Sequence, residues 1–232
     1  MNRRNFIRTS SVVSSAAFVS VKGFKSTDSS VGTSSYYLAR SGNFKKDDFY
    51  LLGVVSFQNP TRVIDLFNGL KQTFNYRTKL SYNSNDKYKV DIAKGVIDLF
   101  VNENIEIICL LEGQSSSNNL TSASALKIDA LKRLLGQNFA DSLVSKNESY
   151  FSPSTTLRED FGQAIGGQML TERTDDSVLL QFSDLINGCI FGAISGKVTN
   201  PIKLEIISYF QNRIGVFQFT KDLVVPNKIR IV

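Results

Sequence analysis

The sequence predicts an α/β fold in which helices flank a mixed β-sheet within a single domain. Three strand-like apolar segments come early in the chain, and strand-like and helix-like segments alternate after them. That order is typical of a sheet covered by helices. The roughly 200 residues that follow a Ser-rich N-terminal stretch are enough for one domain with its own core. The apolar content of 42% is ordinary for a globular protein.

Spacing and turn residues predict the individual elements. Val63, Phe67, Leu70 and Phe74 recur at helical spacing in the first predicted helix, whereas 105–111 is a nearly continuous apolar run typical of a buried strand. The first half of the chain is predicted to contain strands at 36–41, 49–57, 79–82 and 105–111 and helices at 61–75 and 87–101. A polar loop at 112–120, a helix at 122–139 and a variable region that could hold one strand at 148–155 follow. The last part is predicted to contain a helix at 157–169 followed by a short edge strand, helices at 177–195 and 200–213, and a strand at 228–232.

The first ten residues carry a separate signal. Arg3 and Arg4 are adjacent, and Phe6 and Arg8 follow closely. This segment resembles the twin-arginine export signal of bacteria, and the alternative is a chance pair of arginines in a disordered basic N-terminus. The mildly apolar run at 12–21 has about half of the ~20 residues that span a bilayer, so it does not predict a membrane anchor.

The resemblance to an export signal implies an organisation and an address. We predict a signal peptide at 1–25, a flexible Ser/Thr/Gly tether at 26–35 and one domain at 36–232, with cleavage between about residues 20 and 30. The protein is then exported across the bacterial inner membrane, into the periplasm or out of the cell. The twin-arginine translocase is its expected partner during export.

The export signal also accounts for most of the net charge. Of 27 basic residues, five lie in 1–25 together with no acid, which leaves 22 basic against 21 acidic residues in the rest of the chain. A near-neutral domain does not support nucleic acid as a partner.

Composition excludes several kinds of catalytic site. The chain has no histidine, which excludes Ser-His-Asp and Cys-His hydrolases and histidine-ligated zinc. Its two cysteines, Cys109 and Cys189, lie in apolar segments and are interpreted as core thiols, with a single disulfide as the alternative. Catalysis would need carboxylates with a hard metal, or a Ser/Lys arrangement.

Two short blocks match a known family pattern. Residues 37–42 read Tyr-Leu-Ala-Arg-Ser-Gly and are followed by the apolar strand at 50–55, and residues 180–188 read Leu-Gln-Phe-Ser-Asp-Leu-Ile-Asn-Gly. They resemble a ribonuclease-H-like family of domains of unknown function, whose hallmarks are Tyr-aliphatic-Asp-Glu-Ser-Gly before a strand and Leu-Gln-x-x-Asp-aliphatic-aliphatic-x-Gly/Ala on a late helix. The resemblance implies a ribonuclease-H-like fold for 36–232 and acidic residues that hold metal ions for work on nucleic acid.

The chain departs from that family at its acids. Ala39 and Arg40 stand where the family has Asp-Glu, so one position offers no oxygen ligand and the other would repel a cation. In such a site, carboxylates from the first strand and a late helix converge on metal ions. The residues that carry over by position are Ser41, Gly42, Gln181 and Asp184. Arg40, Ser41, Gln181 and Asp184 are the predicted binding residues.

Asp184 is the family acid that remains, and two interpretations of it stay open. It could join Glu112, or the adjacent pair Glu159 and Asp160, in a residual site for Mg²⁺ or Mn²⁺, and these four are the candidate catalytic residues. Alternatively, Asp184 is a carboxylate at a solvent edge, paired with Arg40 in a salt bridge that replaces the metal.

Two functional classes follow from these interpretations. The first is an exported binding or interaction module with a degenerate acidic site, for which no cofactor is expected. The second is a divergent metal-dependent nuclease or phosphodiester hydrolase, which would use Mg²⁺ or Mn²⁺. The missing acids and the near-neutral domain favour the first class.

Overall fold

In the computed structural model of the chain, the described residues are 35–42, 49–84, 86–113, 162–165, 168–171 and 177–232. The predicted signal peptide, all but the last residue of the predicted tether, the predicted helix at 122–139 and the region 148–155 lie outside these residues.

Strands and helices are interspersed along the described chain, in pairs or threes rather than in strict alternation. The elements are β1 (Ser35–Ser41), β2 (Phe49–Phe57), α1 (Pro60–Thr73), α2 (Lys89–Asn102), β3 (Ile105–Gly113), β4 (Gly162–Ile165), β5 (Gln168–Thr171), α3 (Val178–Ser195), α4 (Pro201–Ile214), β6 (Val224–Val225) and β7 (Ile229–Ile231).

The strands form one mixed sheet. Its order is β5-β4-β1-β2-β3-β7-β6, and every neighbouring pair is antiparallel except β3 and β7, which run parallel. The prediction of an α/β fold with a mixed sheet and helices in a single domain is therefore confirmed. The C-terminal strand predicted at 228–232 is β7, and it lies beside the central strand β3.

The neighbouring strands β2 and β3 are buried on both faces. Leu51, Val55 and Ile107 lie in the main core, and Leu52 and Val54, which alternate with them, are also buried. Residues of a strand point to opposite faces in turn, so a strand covered on both sides needs an apolar run rather than an alternating pattern. This requirement explains the long apolar runs of β2 and β3.

Helix α3 is the central helix of the molecule and packs across β1 and β2. Each residue from Leu179 to Ile190 is buried. The Ser177 hydroxyl accepts a hydrogen bond from the Leu180 amide at its start, and Gly196 ends it with a φ of +60°. In length and hydropathy α3 could cross a membrane, but 72% of it is buried inside the protein, as in the core helix of a globular domain.

Helices α2 and α4 lie side by side and run in the same direction. Lys94 of α2 pairs with Glu205 of α4 at 2.5 Å, and further toward the C-terminus of both helices Asp98 pairs with Arg213 at 2.6 Å. Beneath these surface pairs, the Phe100 and Phe210 rings pack with centroids 6.2 Å apart. The two helices therefore begin at the same end of the molecule.

Both cysteines are free and fully buried, which confirms their interpretation as core residues. Cys109 lies on β3, and Cys189 lies on α3. Burial raises the pKa of both thiols.

Two predicted elements are wrong. The predicted strand at 79–82 is an irregular segment between α1 and α2. Its alternating pattern is strand-like, but its backbone hydrogen bonds go to side chains rather than to a neighbouring strand. The predicted helix at 157–169 is also wrong over its described residues, because β4 and β5 are antiparallel strands there. In the sequence, Gly166 and Gly167 stand between the two strands, and a pair of glycines between strand-like segments predicts a hairpin more strongly than the weak helical spacing predicts a helix.

A row of small residues on the sheet lies under α3. Ala39, Gly53 and Cys109 are aligned across β1, β2 and β3, and a Cβ at Gly53 would lie 2.3 Å from Asn187 Oδ1. We expect Gly53→Ala to lower the free energy of unfolding by about 1–3 kcal/mol, the usual cost of overpacking. Urea denaturation measures the change.

Gly69→Ala is the matched control. Gly69 lies in α1, and nothing is within 4 Å of the position that its Cβ would take. This variant should be more stable by about 0.5–1 kcal/mol, because alanine is the better helix former. Equal effects of the two substitutions would contradict the close approach of Asn187 to β2. The penalty at Gly53 should also shrink when Asn187 is replaced by alanine.

Candidate functional site

Asp184, the acid that matches the family motif, is bound to the segment that connects α1 and α2. Its carboxylate oxygen Oδ2 accepts hydrogen bonds from the Tyr82 amide at 3.0 Å and the Ser81 hydroxyl at 3.1 Å. Only 6% of the residue is exposed. The expectation that Asp184 lies at a solvent edge is therefore wrong, because this segment covers it.

Gln181 lies one turn before Asp184 on α3 and binds the same segment. Its side-chain oxygen Oε1 accepts a hydrogen bond from the Leu80 amide at 2.9 Å. Residues three apart on a helix are neighbours on its surface. Gln181 and Asp184 thus accept hydrogen bonds from two backbone amides within residues 80–84, which we call the docked loop.

Lys89, at the start of α2, binds the carbonyl groups of the same loop. Its ammonium group donates hydrogen bonds to the carbonyl oxygens of Ser81 at 3.2 Å, of Tyr82 at 3.0 Å, and of Ser84. An ammonium group has three donors, so all three are used. The lysine side chain is fully buried, and these three hydrogen bonds offset the cost of removing its charge from water.

Two glycines of α3 leave room for the Tyr82 ring. A Cβ at Gly188 would lie 2.2 Å from Tyr82 Cγ, and a Cβ at Gly192 would lie 2.4 Å from the Tyr82 hydroxyl oxygen. Lys203 of α4 covers the ring, with its Nζ 4.8 Å from the ring centroid. Gly188 of the family motif therefore has a packing role in this chain.

The charges at the docked loop are opposed and buried. Burial raises the pKa of Asp184, while the hydrogen bonds from Tyr82 and Ser81 and the charges of Lys79 and Lys89 counteract that rise. The pKa of Lys89 is lowered to about 8, mainly by burial and secondly by repulsion from Lys203. Attraction to nearby acidic groups partly offsets this decrease. Both side chains contribute to folding through the backbone groups that they bind.

Asn187 connects α3 to the sheet. Its side-chain amide donates to the Ser41 hydroxyl at 3.0 Å, and its Oδ1 accepts a weak hydrogen bond from the Cys109 thiol at 3.8 Å. Gly53 leaves the space that this side chain occupies. Ala39, where the family has an acid, is aligned with Gly53 in the neighbouring strand and fully buried.

The predicted site residues are brought together only in part. Gln181 and Asp184 share the docked loop, whereas Ser41 contacts Asn187. Gly42 has a φ of +94°, and a Cβ there would lie 2.8 Å from both the Phe191 ring and the Phe49 carbonyl oxygen, so this position requires glycine.

Several predicted residues fall outside the described part of the chain. These are Glu159 and Asp160, and the side chains of Arg40 and Glu112. The pairing of Arg40 with Asp184 and the carboxylate cluster therefore stay predictions. Within the described ranges, no group of three or more Cys, Asp and Glu side chains could hold a metal ion.

Sequence reasoning missed Lys89, Ser81, Tyr82 and Asn187. For Lys89 the signal was present, because it is in phase with Ile92, Val96 and Phe100 on the apolar face of α2. A lysine on such a face must find buried acceptors or extend its charged end to water. The others could not be inferred, since their roles depend on long-range contacts.

Lys89 makes stability depend on pH in the alkaline range. A lysine in the unfolded chain has a pKa of about 10.4, whereas Lys89 in the folded protein has a pKa of about 8. Between these values the unfolded state holds the proton and the folded state does not, so the free energy of unfolding rises with pH. Between about pH 8 and pH 10, we expect the free energy of unfolding of wild type to rise by up to roughly 1 kcal/mol per pH unit relative to that of Lys89→Met.

Urea denaturation of both proteins across this range measures the difference. The control is Lys221→Met, which removes an exposed lysine. Its difference from wild type should stay constant with pH. A constant difference for Lys89→Met as well would contradict the burial of a charged lysine.

Comparison with known proteins yields no match: no family model, no curated protein and no solved structure is similar to this chain.

Proposed function

We propose that the chain is an exported, degenerate relative of the ribonuclease-H-like family, and that it acts as a binding or interaction module without catalysis. One observation carries this proposal. The carboxylate that would be the metal ligand, that of Asp184, is buried and accepts hydrogen bonds from Tyr82 and Ser81.

The surroundings of Asp184 are unfavourable for a divalent cation. Mg²⁺ usually keeps several water molecules and needs near-octahedral oxygen ligands. At Asp184 the docked loop occupies that space, and the positive charges of Lys79 and Lys89 act on the same carboxylate. A metal ion would have to displace the Tyr82 amide from its acceptor, leaving a buried donor unsatisfied.

Ala39 supports the same conclusion from the sheet. It occupies the position of the first family acid, and it is fully buried in a row of small residues under α3. A carboxylate there would be placed in the packed layer between β1 and α3, where an unpaired charge is very costly. The packing of α3 on the sheet thus takes the place of an acidic site.

Export is the second part of the proposal and rests on the sequence. The segment with Arg3, Arg4 and Phe6 resembles a twin-arginine signal, and the rest of the chain is nearly neutral. An exported protein is separated from the nucleic acids of the cytoplasm. A binding role outside the inner membrane therefore fits both the address and the loss of acids.

Metal titration of Asp184 variants tests the absence of catalysis. Asp184→Ala leaves the buried Tyr82 amide without its acceptor, which costs about 1–3 kcal/mol. We expect the melting temperature of the variant to be lower by roughly 2–12 °C, since each kcal/mol shifts it by about 2–4 °C in a chain of this size. The decrease should be the same with and without Mg²⁺ or Mn²⁺, and wild type should cleave neither DNA nor RNA.

Asp91→Ala is the control, since Asp91 is an exposed acid in the first turn of α2. Its loss should change stability by less than about 1 kcal/mol. A Mn²⁺-induced rise in melting temperature that is lost in Asp184→Asn would contradict the proposal and support the metal-dependent nuclease.

A reporter fusion tests export. Residues 1–35 are fused to a reporter that is active only outside the inner membrane, and Arg3 and Arg4 are both changed to lysine. Because the paired guanidinium groups define the signal, we expect export of the wild-type fusion and loss of export in the variant. Arg8→Lys is the control and should still be exported. Undiminished export of the double variant would contradict the twin-arginine assignment.

A further inference from the structure

The connection between α1 and α2 is strongly basic, although the domain as a whole is nearly neutral. From 74 to 89 the sequence has four basic residues, Arg77, Lys79, Lys87 and Lys89, and one acid, Asp86. The carboxylate of that acid accepts a hydrogen bond from the Tyr88 amide at 2.9 Å. Positive charge is therefore concentrated at this end of the molecule.

Helix α4 adds to the same surface. Lys203 Nζ lies over the Tyr82 ring and donates to the Asn83 side chain at 3.3 Å, so it borders the docked loop. Its charge repels that of Lys89, while it is attracted to the buried Asp184 beneath the loop. We use the name basic loop face for the exposed residues Arg77, Lys79, Lys87 and Tyr88 of this connection together with the neighbouring Lys203.

The directions of α2 and α4 add to the positive electrostatic potential at this end of the molecule. α2 begins at Lys89 and α4 at Pro201, and both helices start at this end because they run in the same direction. The N-terminus of a helix carries a partial positive charge of about half an elementary charge. Two such ends and the basic side chains act together on an approaching anion, against one exposed acid, Asp91, in the first turn of α2.

An aromatic side chain protrudes from the basic loop face. Tyr88 is 72% exposed, and Lys87 Nζ lies 5.1 Å from its ring centroid. An exposed tyrosine with a neighbouring lysine is typical of surfaces that meet a lipid headgroup region, because the ring is apolar on its faces and polar at its tip. Phe74 at the end of α1, 40% exposed, is a further apolar group in this connection.

We propose that the basic loop face binds the surface of a membrane that contains anionic phospholipids. This inference rests on the proposed function, since export brings the protein to the outer surface of the inner membrane. The lipid phosphates would meet Arg77, Lys87 and Lys203, and the Tyr88 ring would lie among the headgroups. The interaction is peripheral, because the one helix that could span a bilayer among the described residues is α3, the buried core helix.

Vesicle co-sedimentation of the full chain tests the proposal. The probes are vesicles of phosphatidylglycerol and phosphatidylcholine in equal amounts, and vesicles of phosphatidylcholine alone. The variant Arg77→Gln/Lys87→Gln removes two exposed charges from the face, and the control Lys221→Gln/Arg230→Gln removes two exposed charges elsewhere. All three proteins keep the basic N-terminus, so its contribution is the same in each.

We expect wild type to bind the anionic vesicles more strongly than the neutral ones. At low salt the face variant should bind them roughly 30-fold more weakly, since each basic residue near an anionic surface contributes ~1 kcal/mol. The control should change much less, and Tyr88→Ser should weaken binding without any change in charge. Far-UV circular dichroism and melting curves confirm that the variants are folded.

Three results would overturn the proposal. They are equal binding of wild type to both kinds of vesicle, equal losses in the face variant and the control, and binding of a single-stranded oligonucleotide with the same dependence on the face. None of them bears on catalysis, which the metal titration of Asp184 tests separately.

Discussion

The docking of residues 80–84 onto α3 is the interaction on which the arrangement of the helices depends. A buried segment without a strand partner must satisfy its amide and carbonyl groups in some other way. Here Gln181 and Asp184 accept from the amides of Leu80 and Tyr82, while Lys89 donates to the carbonyls. Since Lys89 belongs to α2, the same contacts fix where α2 begins relative to α3.

This solution uses charged side chains where apolar packing would be less costly. Asp184 and Lys89 are both buried. Burial raises the pKa of Asp184 and lowers that of Lys89, so it favours the neutral form of each side chain. Removing one partner of a buried polar network costs more than the network contributes, because the groups that remain are left unsatisfied. The charged side chains instead determine the position of the docked loop, because they bind particular backbone groups and so specify one placement of it.

The sequence predicted most of the fold and little of the site, for physical reasons. The strands at 36–41, 49–57 and 105–111 and the helix at 177–195 are confirmed, because local apolar patterns determine them. The strand at 79–82 was wrong, since its alternation fits a strand but Gln181 and Asp184, about 100 residues away in sequence, take its amides. Only Lys89, in phase with the apolar face of α2, offered a local signal of the buried network.

The motif on α3 can be explained by packing in this chain. Gln181 and Asp184 bind the docked loop, Asn187 contacts β1 and β3, and Gly188 leaves room for the Tyr82 ring. On the sheet, Ala39 and Gly53 keep the surface under Asn187 low enough for α3 to approach. An acid at position 39 would add a charge to this buried layer, and a metal at Asp184 would compete with the docked loop. In this chain, therefore, the close packing of α3 on the sheet leaves little space at position 39, and the docked loop occupies two hydrogen-bonding directions of Asp184.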